Sequence, residues 1–193
     1  MTDNIDEIPA GGVGIKIIGK IADELSYTPT SDGRNCLFLV KYYQQPDLVQ
    51  PQPRRQAGFF KRAMDVLNSF NGFQQQRNAQ SDPSANQPLQ KFNLQLNTDI
   101  NAVAQVLSWL EQLDPLDPLP IPETVLHQCK LAVVEGFTNA VRHAHKNLPR
   151  ETPIELEITV FNERLEINIW DRGKPFDFQA KLKEKLREKS PLI

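Results

Sequence analysis

The sequence predicts an α+β protein: a two-layer α/β sandwich with helices laid against a mixed sheet. Three observations carry that prediction. A run from about Pro122 to Ala144 puts Leu126, Cys129, Val133, Phe137, Ala140 and Ala144 on one stripe at roughly 100° per residue. Ile154, Leu156, Ile158 and Val160 alternate with polar residues, and Leu165, Ile167 and Ile169 do so again after Asn162-Glu163-Arg164, which reads as a hairpin. Cys36, Leu37, Phe38, Leu39 and Val40 are apolar on both faces, as an inner strand would be.

The remaining elements follow in chain order. Residues 1–10 are polar, and Gly11-Gly12-Val13-Gly14 then opens a segment with Ile18, Ile21, Ala22 and Leu25 at helical spacing. A glycine-rich loop feeding a helix suits phosphate binding, because it aims free N–H groups at an anion. Asp32-Gly33 marks a turn between strands at Leu25–Thr28 and Asn35–Tyr43. Residues 47–90 are rich in Pro, Gln, Asn and Ser, which predicts a poorly ordered connector. Within it, Gly58–Phe73 holds Phe59, Phe60, Met64, Leu67 and Phe70 beside Lys61 and Arg62, the pattern of a short amphipathic helix. Phe92–Leu96 alternates as a strand. Thr98 or Asp99 is placed to cap a helix carrying Ile100, Val103, Ala104, Leu107, Leu110 and Leu113. The prolines of residues 114–122 end that helix, and Pro122 suits the first turn of the next.

Glu135, Asn139 and His143 form a second stripe on the long central helix, at i, i+4 and i+8. Alone, such a stripe is ordinarily a solvated face. Ala132 and Gly136 beside it are small, and a helical glycine costs about 1 kcal/mol against alanine, so a close approach to this helix is expected. Trp170-Asp171-Arg172-Gly173-Lys174-Pro175-Phe176 follows the hairpin and, alone, reads as a turn.

Together these segments resemble the N box and G1 box of the GHKL ATPases, with the histidine-kinase-like ATPase fold that family implies. The match is nearest to the RsbW type of anti-sigma-factor serine kinase, which shares Glu-x-x-x-Asn-Ala-x-x-His and Asp-x-Gly-x-Pro-Phe. The third motif of the family, a glycine-rich G2 box, follows G1 in its usual order. Here the matching run, Gly11 to Ile18, stands at the start of the chain, and Ala22–Lys41 continues as the family's last helix and strands do. The order is that of a circular permutation. Residues 1–46 supply the C-terminal half of the fold, 47–90 the connector and 91–193 the N-terminal half.

The resemblance implies roles for these residues. ATP and Mg²⁺ are the implied cofactors, with Asn139 as the metal ligand and Glu135 as the general base. Asp171 would accept the adenine amino group, and Gly173 would let backbone pass close to the base. Gly12 and Gly14 would offer N–H groups to the phosphates. His143 would help position them, and a structural role for it is equally open. Arg172, Lys174 and the basic run 181–189 would add positive charge, although that run reads first as a solvated helix. The implied substrate is a STAS-type anti-sigma-factor antagonist, with a sigma factor as a further partner and a homodimer as the expected assembly.

Three alternatives stand beside the kinase. One is a nucleotide-gated protein-binding module with little or no kinase activity. Another is a pair of half-domains completed by swapping between subunits. A histidine kinase is disfavoured, because no phospho-accepting helix pair precedes the motifs, and His127 and His145 lack that context. The net charge of −2 gives no electrostatic case for nucleic-acid binding. No run of 18 apolar residues and no signal peptide are read in the sequence, so a cytoplasmic location is expected. Cys36 and Cys129 lie in apolar patterns and are expected as buried free thiols.

Overall fold

A computed structural model describes residues 13–44, 87–113 and 121–187 of the chain. Gly11, Gly12, the Gly58–Phe73 segment and the end of the basic run lie outside the described residues. So does the connector, apart from residues 87–90.

Five strands form one sheet: β1 (Glu24–Pro29), β2 (Asn35–Tyr42), β3 (Gln90–Asn97), β4 (Pro153–Val160) and β5 (Arg164–Asp171). Their order is β1-β2-β5-β4-β3, and every neighbouring pair is antiparallel. The expected mixed sheet is therefore corrected to an antiparallel one. β2 lies inside the sheet, as its two apolar faces require, between β1 from the opening segment and β5 from the second half. Both segments thus build one sheet. Gly33, at φ 79°, turns the chain between β1 and β2, a backbone angle that β-branched residues avoid.

The pairing register sets the two faces. Leu25 stands beside Leu39, Leu39 beside Ile167, Ile167 beside Ile158, and Ile158 beside Phe92, all facing the helical layer. The other face carries ion pairs, Arg34 to Glu155 at 2.6 Å and Lys91 to Glu157 at 2.8 Å, beside the apolar Cys36, Phe38 and Val40 of β2. Such an alternation suits an antiparallel sheet covered on one side.

Helices α1 (Val13–Ile21), α2 (Val103–Leu110), α3 (Glu123–Asn139) and α4 (Phe178–Arg187) make the second layer. α3 is the central one. Cys129, Val133 and Phe137 are buried along it, and Gly136 lets it settle on β5, where a β-carbon would meet the Ile169 side-chain tip. α1 packs against α3, with Ile18 fully buried, and α4 packs on α1 through Leu182 opposite Gly19. The basic run is thus an amphipathic helix with Phe178 and Leu182 inside, capped by Asp177, which accepts the Ala180 N–H at 2.8 Å.

Two local expectations are corrected. The helix after β3 is entered through a 3₁₀ turn at Ile100–Ala102, with Asp99 as cap, and leaves through another at Glu111–Leu113. Its buried side is Ala102, Val106, Trp109, Leu110 and Leu113, whereas Ile100 and Leu107 are exposed. A 3₁₀ turn advances each residue by more than an α-turn does, which rotates the predicted stripe. The central helix ends its α-segment at Asn139, and Ala140–Ala144 form a π-turn closed by His145 N–H to Ala140 O at 2.8 Å.

Candidate functional site

The C-terminal half of α3, the first turn of α1 and the end of β5 meet around the expected site residues. Gly14 opens α1 directly on the polar stripe of α3. A β-carbon on Gly14 would stand 2.5 Å from Glu135 Oε2, 2.8 Å from Asn139 Nδ2 and 3.0 Å from Asn139 Oδ1. Only glycine lets the backbone come this close with those side chains in place. Residues far apart in sequence are thereby joined.

Asn139 is half-buried, and its Nδ2 is shielded from solvent with no hydrogen-bond partner among the described residues. An orphaned buried amide costs about 1–3 kcal/mol, so a ligand that accepts its hydrogen offsets a real penalty. The oxygen of the same amide is a hard donor of the kind Mg²⁺ takes. No cluster of three or more His, Cys, Asp or Glu suited to a metal occurs among the described residues. Mg²⁺ ordinarily takes one or two protein ligands and leaves the rest to phosphate and water, so a single amide ligand fits a nucleotide-borne ion.

The other end of the site lies at Asp171, the last residue of β5. Strand alternation puts its side chain on the helix-facing side with Leu165, Ile167 and Ile169, and it is 4 % exposed. Its Oδ1 accepts Asn35 Nδ2 at 3.0 Å and the Gly173 N–H at 2.8 Å, and its Oδ2 accepts the Tyr27 hydroxyl at 3.0 Å. Asn35 also donates to the Gly173 carbonyl at 2.9 Å, which fixes the turn after the strand. Gly173 lies against the π-turn: a β-carbon there would fall within 2.8 Å of the Ala144 carbonyl oxygen, Cα and Cβ. One helix end, residues 139–144, therefore touches Gly14 on one side and Gly173 on the other.

His143 is exposed on the π-turn, and burial together with Arg142 and Lys146 holds its imidazole below the usual range. The buried imidazole is His145. The Arg172 N–H donates to its Nε2 at 2.7 Å, so that nitrogen is unprotonated, and Nδ1 faces Thr98 Oγ1 at 2.7 Å. The Thr98 hydroxyl in turn donates to the Thr152 carbonyl at 2.7 Å. This network assigns the proton to Nδ1. Burial lowers the pKa of His145, Asp171 opposes that shift and Arg172 adds to it. The neutral ring ties the end of the α3 helix to the loop that follows Asp171.

Tyr27, Asn35 and His145 are contacts that the motif reading did not assign. Asn35 sits opposite Asp171 in the β2–β5 register, which no local pattern reveals. Cys36 and Cys129 are free and buried, and burial pushes their thiols up to about 11 and about 12. No described helix is long and apolar enough to cross a membrane.

Comparison with known proteins agrees with this geometry. The family model described as Histidine kinase-like ATPase domain matches residues 96–191. Over 59 residues the chain is 42% identical to serine-protein kinase RsbW of Bacillus licheniformis, covering 31% of this chain and 37% of that protein. It is 40% identical over 55 residues to RsbW of Staphylococcus epidermidis (28% of this chain, 35% of the relative). Against RsbW of Bacillus subtilis strain 168 it is 39% identical over 56 residues (29% and 34%). The chain spans little more than a third of the length of these curated relatives. No solved structure matches. The long helix α3 and the buried aspartate ending β5 both fall within the matched segment, so residues 96–191 match the histidine kinase-like ATPase domain, and the chain is similar over part of its length to the RsbW serine-protein kinases.

Proposed function

We propose that this chain is an ATP-binding, anti-sigma-factor-like serine-protein kinase that phosphorylates a STAS-type anti-sigma-factor antagonist. A sigma factor is its second regulatory partner, and the working unit is a homodimer in the cytoplasm. The approach of Gly14 to Glu135 and Asn139 carries the reading, because it brings the first turn of α1 onto a carboxylate and an amide. ATP supplies the phosphoryl group and Mg²⁺ the charge that steadies it during transfer. Asn139 holds the metal through its Oδ1, and Gly12 and Gly14 offer backbone N–H groups to the phosphates. Asp171 receives the adenine amino group over Gly173, and His143 stands at the rim toward the phosphates. Glu135 would take the proton from the attacking serine hydroxyl as its oxygen bonds the terminal phosphorus and the bond to the β-phosphate oxygen breaks, releasing ADP.

In the same reading the motif order is circularly permuted. Residues 1–46 and 91–193 are two halves of one fold, joined by the 47–90 connector. The sheet order supports this, since β2 lies directly beside β5 and β1 extends the sheet beyond it. The test is incubation with labelled ATP, Mg²⁺ and a STAS-domain partner. Glu135→Gln is expected to keep ATP binding and lose label transfer; full transfer by that variant removes the proposed base. ATP binding without transfer by the unaltered chain favours a nucleotide-gated binding module instead. That second reading draws on the covered state of Asp171, which is buried and already holds three protein donors.

A further inference from the structure

Asp171 is the residue proposed to receive the base, yet its carboxylate is buried and already holds three protein donors. Oδ1 takes two amide donors, from Asn35 and Gly173. Oδ2 takes the Tyr27 hydroxyl at 3.0 Å, and that hydroxyl also reaches Oδ1 at 3.3 Å. The Tyr27 ring is itself backed by aromatics, with ring centres 5.0 Å from Phe176 and 5.8 Å from Phe178. Phe178 is buried, but Phe176 is 47 % exposed and sits in the irregular stretch between β5 and α4. At 4 % exposure, Asp171 offers an incoming base no open face while Tyr27 is in place.

We infer that Tyr27 is a gate for the nucleobase: its hydroxyl stands where the exocyclic amino group of a purine must donate, and binding requires it to leave. The inference rests on the ATP reading above and deepens it. The exchange is chemically matched, since one O–H donor to Oδ2 is replaced by one N–H donor and the buried carboxylate keeps a partner in both states. Burial and the Asp171 charge hold the phenol protonated, so in the closed state it acts as a donor. Phe176, exposed and free of regular structure, is the part of the cover that can swing with the ring.

Removing the hydroxyl takes a partner from Asp171 only in the closed state, because in the open state the base supplies it. Tyr27→Phe should therefore bind MgATP tighter by about tenfold, the usual worth of one hydrogen bond to a charged group. Inorganic tripolyphosphate with Mg²⁺, which has no base, should bind both forms equally. Titration calorimetry of the full chain and of Tyr27→Phe with both ligands reads this directly. Unchanged or weaker ATP binding by the variant, or tighter tripolyphosphate binding, overturns the gate. ATP failing to bind either form removes the nucleotide reading itself, and the gate with it. A measurement on the unaltered chain stands apart from any folding defect of the variant: the Tyr27 hydroxyl proton, expected to exchange slowly while bonded to Asp171, should vanish from the NMR spectrum on ATP saturation. Its persistence overturns the gate.

Discussion

Gly14 and Asn139 are in near contact although β1, β2, β3 and α2 lie between them along the chain: a β-carbon on the glycine would stand 2.8 Å from the asparagine Nδ2. The approach makes Gly14→Ala a probe of site against fold. The atoms in its way are the ends of two flexible side chains, and alanine favours the α1 helix by up to about 1 kcal/mol. Thermal stability is expected to hold or rise slightly, while MgATP affinity falls by about tenfold, a difference worth about 1.4 kcal/mol. Melting curves and titration calorimetry on one sample check both arms.

Gly136→Ala tests the fold and not the ligand. Its β-carbon would stand 2.2 Å from Ile169 Cδ1, in a packed layer between α3 and β5. Overpacking of that kind costs about 1–3 kcal/mol. Ile169→Val removes the clashing methyl, so the double variant should recover most of the loss. Chemical denaturation of the four-member cycle gives the coupling, and strict additivity contradicts the packing account.

His145 predicts acid sensitivity. Its folded pKa lies below the unfolded value of about 6.5, so the unfolded chain takes up a proton more readily than the folded one. The stabilisation is complete above that value and is lost as the pH falls through it toward the folded pKa. His143, exposed but shifted the same way, adds a smaller share in the same direction. Urea midpoints between pH 7.5 and 5.5 should fall for the unaltered chain and flatten in His145→Gln. His145→Ala orphans the Arg172 N–H and opens a void, with an expected loss of about 2–4 kcal/mol at neutral pH.

Asn35→Ala strips one amide donor from Asp171 and another from the Gly173 carbonyl. Stability should fall by about 2–3 kcal/mol, and Asn35→Asp should be worse, because it sets a second carboxylate against Asp171. Equal denaturation midpoints for the two variants contradict this assignment.

The parts of this molecule legible in the sequence are those that repeat or that carry unusual residues. Cys129, Val133 and Phe137 announce the buried side of α3 by spacing alone, and the alternation of β4 and β5 announces the face that carries Asp171. Glu135, Asn139, Gly14 and Gly173 stand out as motif positions. Tyr27 and Asn35 do not, because their partnership with Asp171 depends on the order β1-β2-β5, a matter of strand pairing between distant segments. The phase of α2 was lost to its 3₁₀ entry, which put Trp109 inside and Leu107 outside. His145 was hidden in a similar way. A π-turn takes in one more residue than an α-turn, and no periodic template drawn at 100° carries that residue round to Thr98 and Arg172.

The central claim is that the opening segment and the second half build one nucleotide site. Paramagnetic broadening by Mn²⁺-ATP tests it most directly, because Mn²⁺ replaces Mg²⁺ among oxygen ligands and relaxes nearby amide signals. The account predicts that the amides of Gly14 and Asn139 broaden together at low occupancy, while Glu157, on the opposite face of the sheet, stays sharp. Broadening confined to Asn139, or none at either residue, contradicts it.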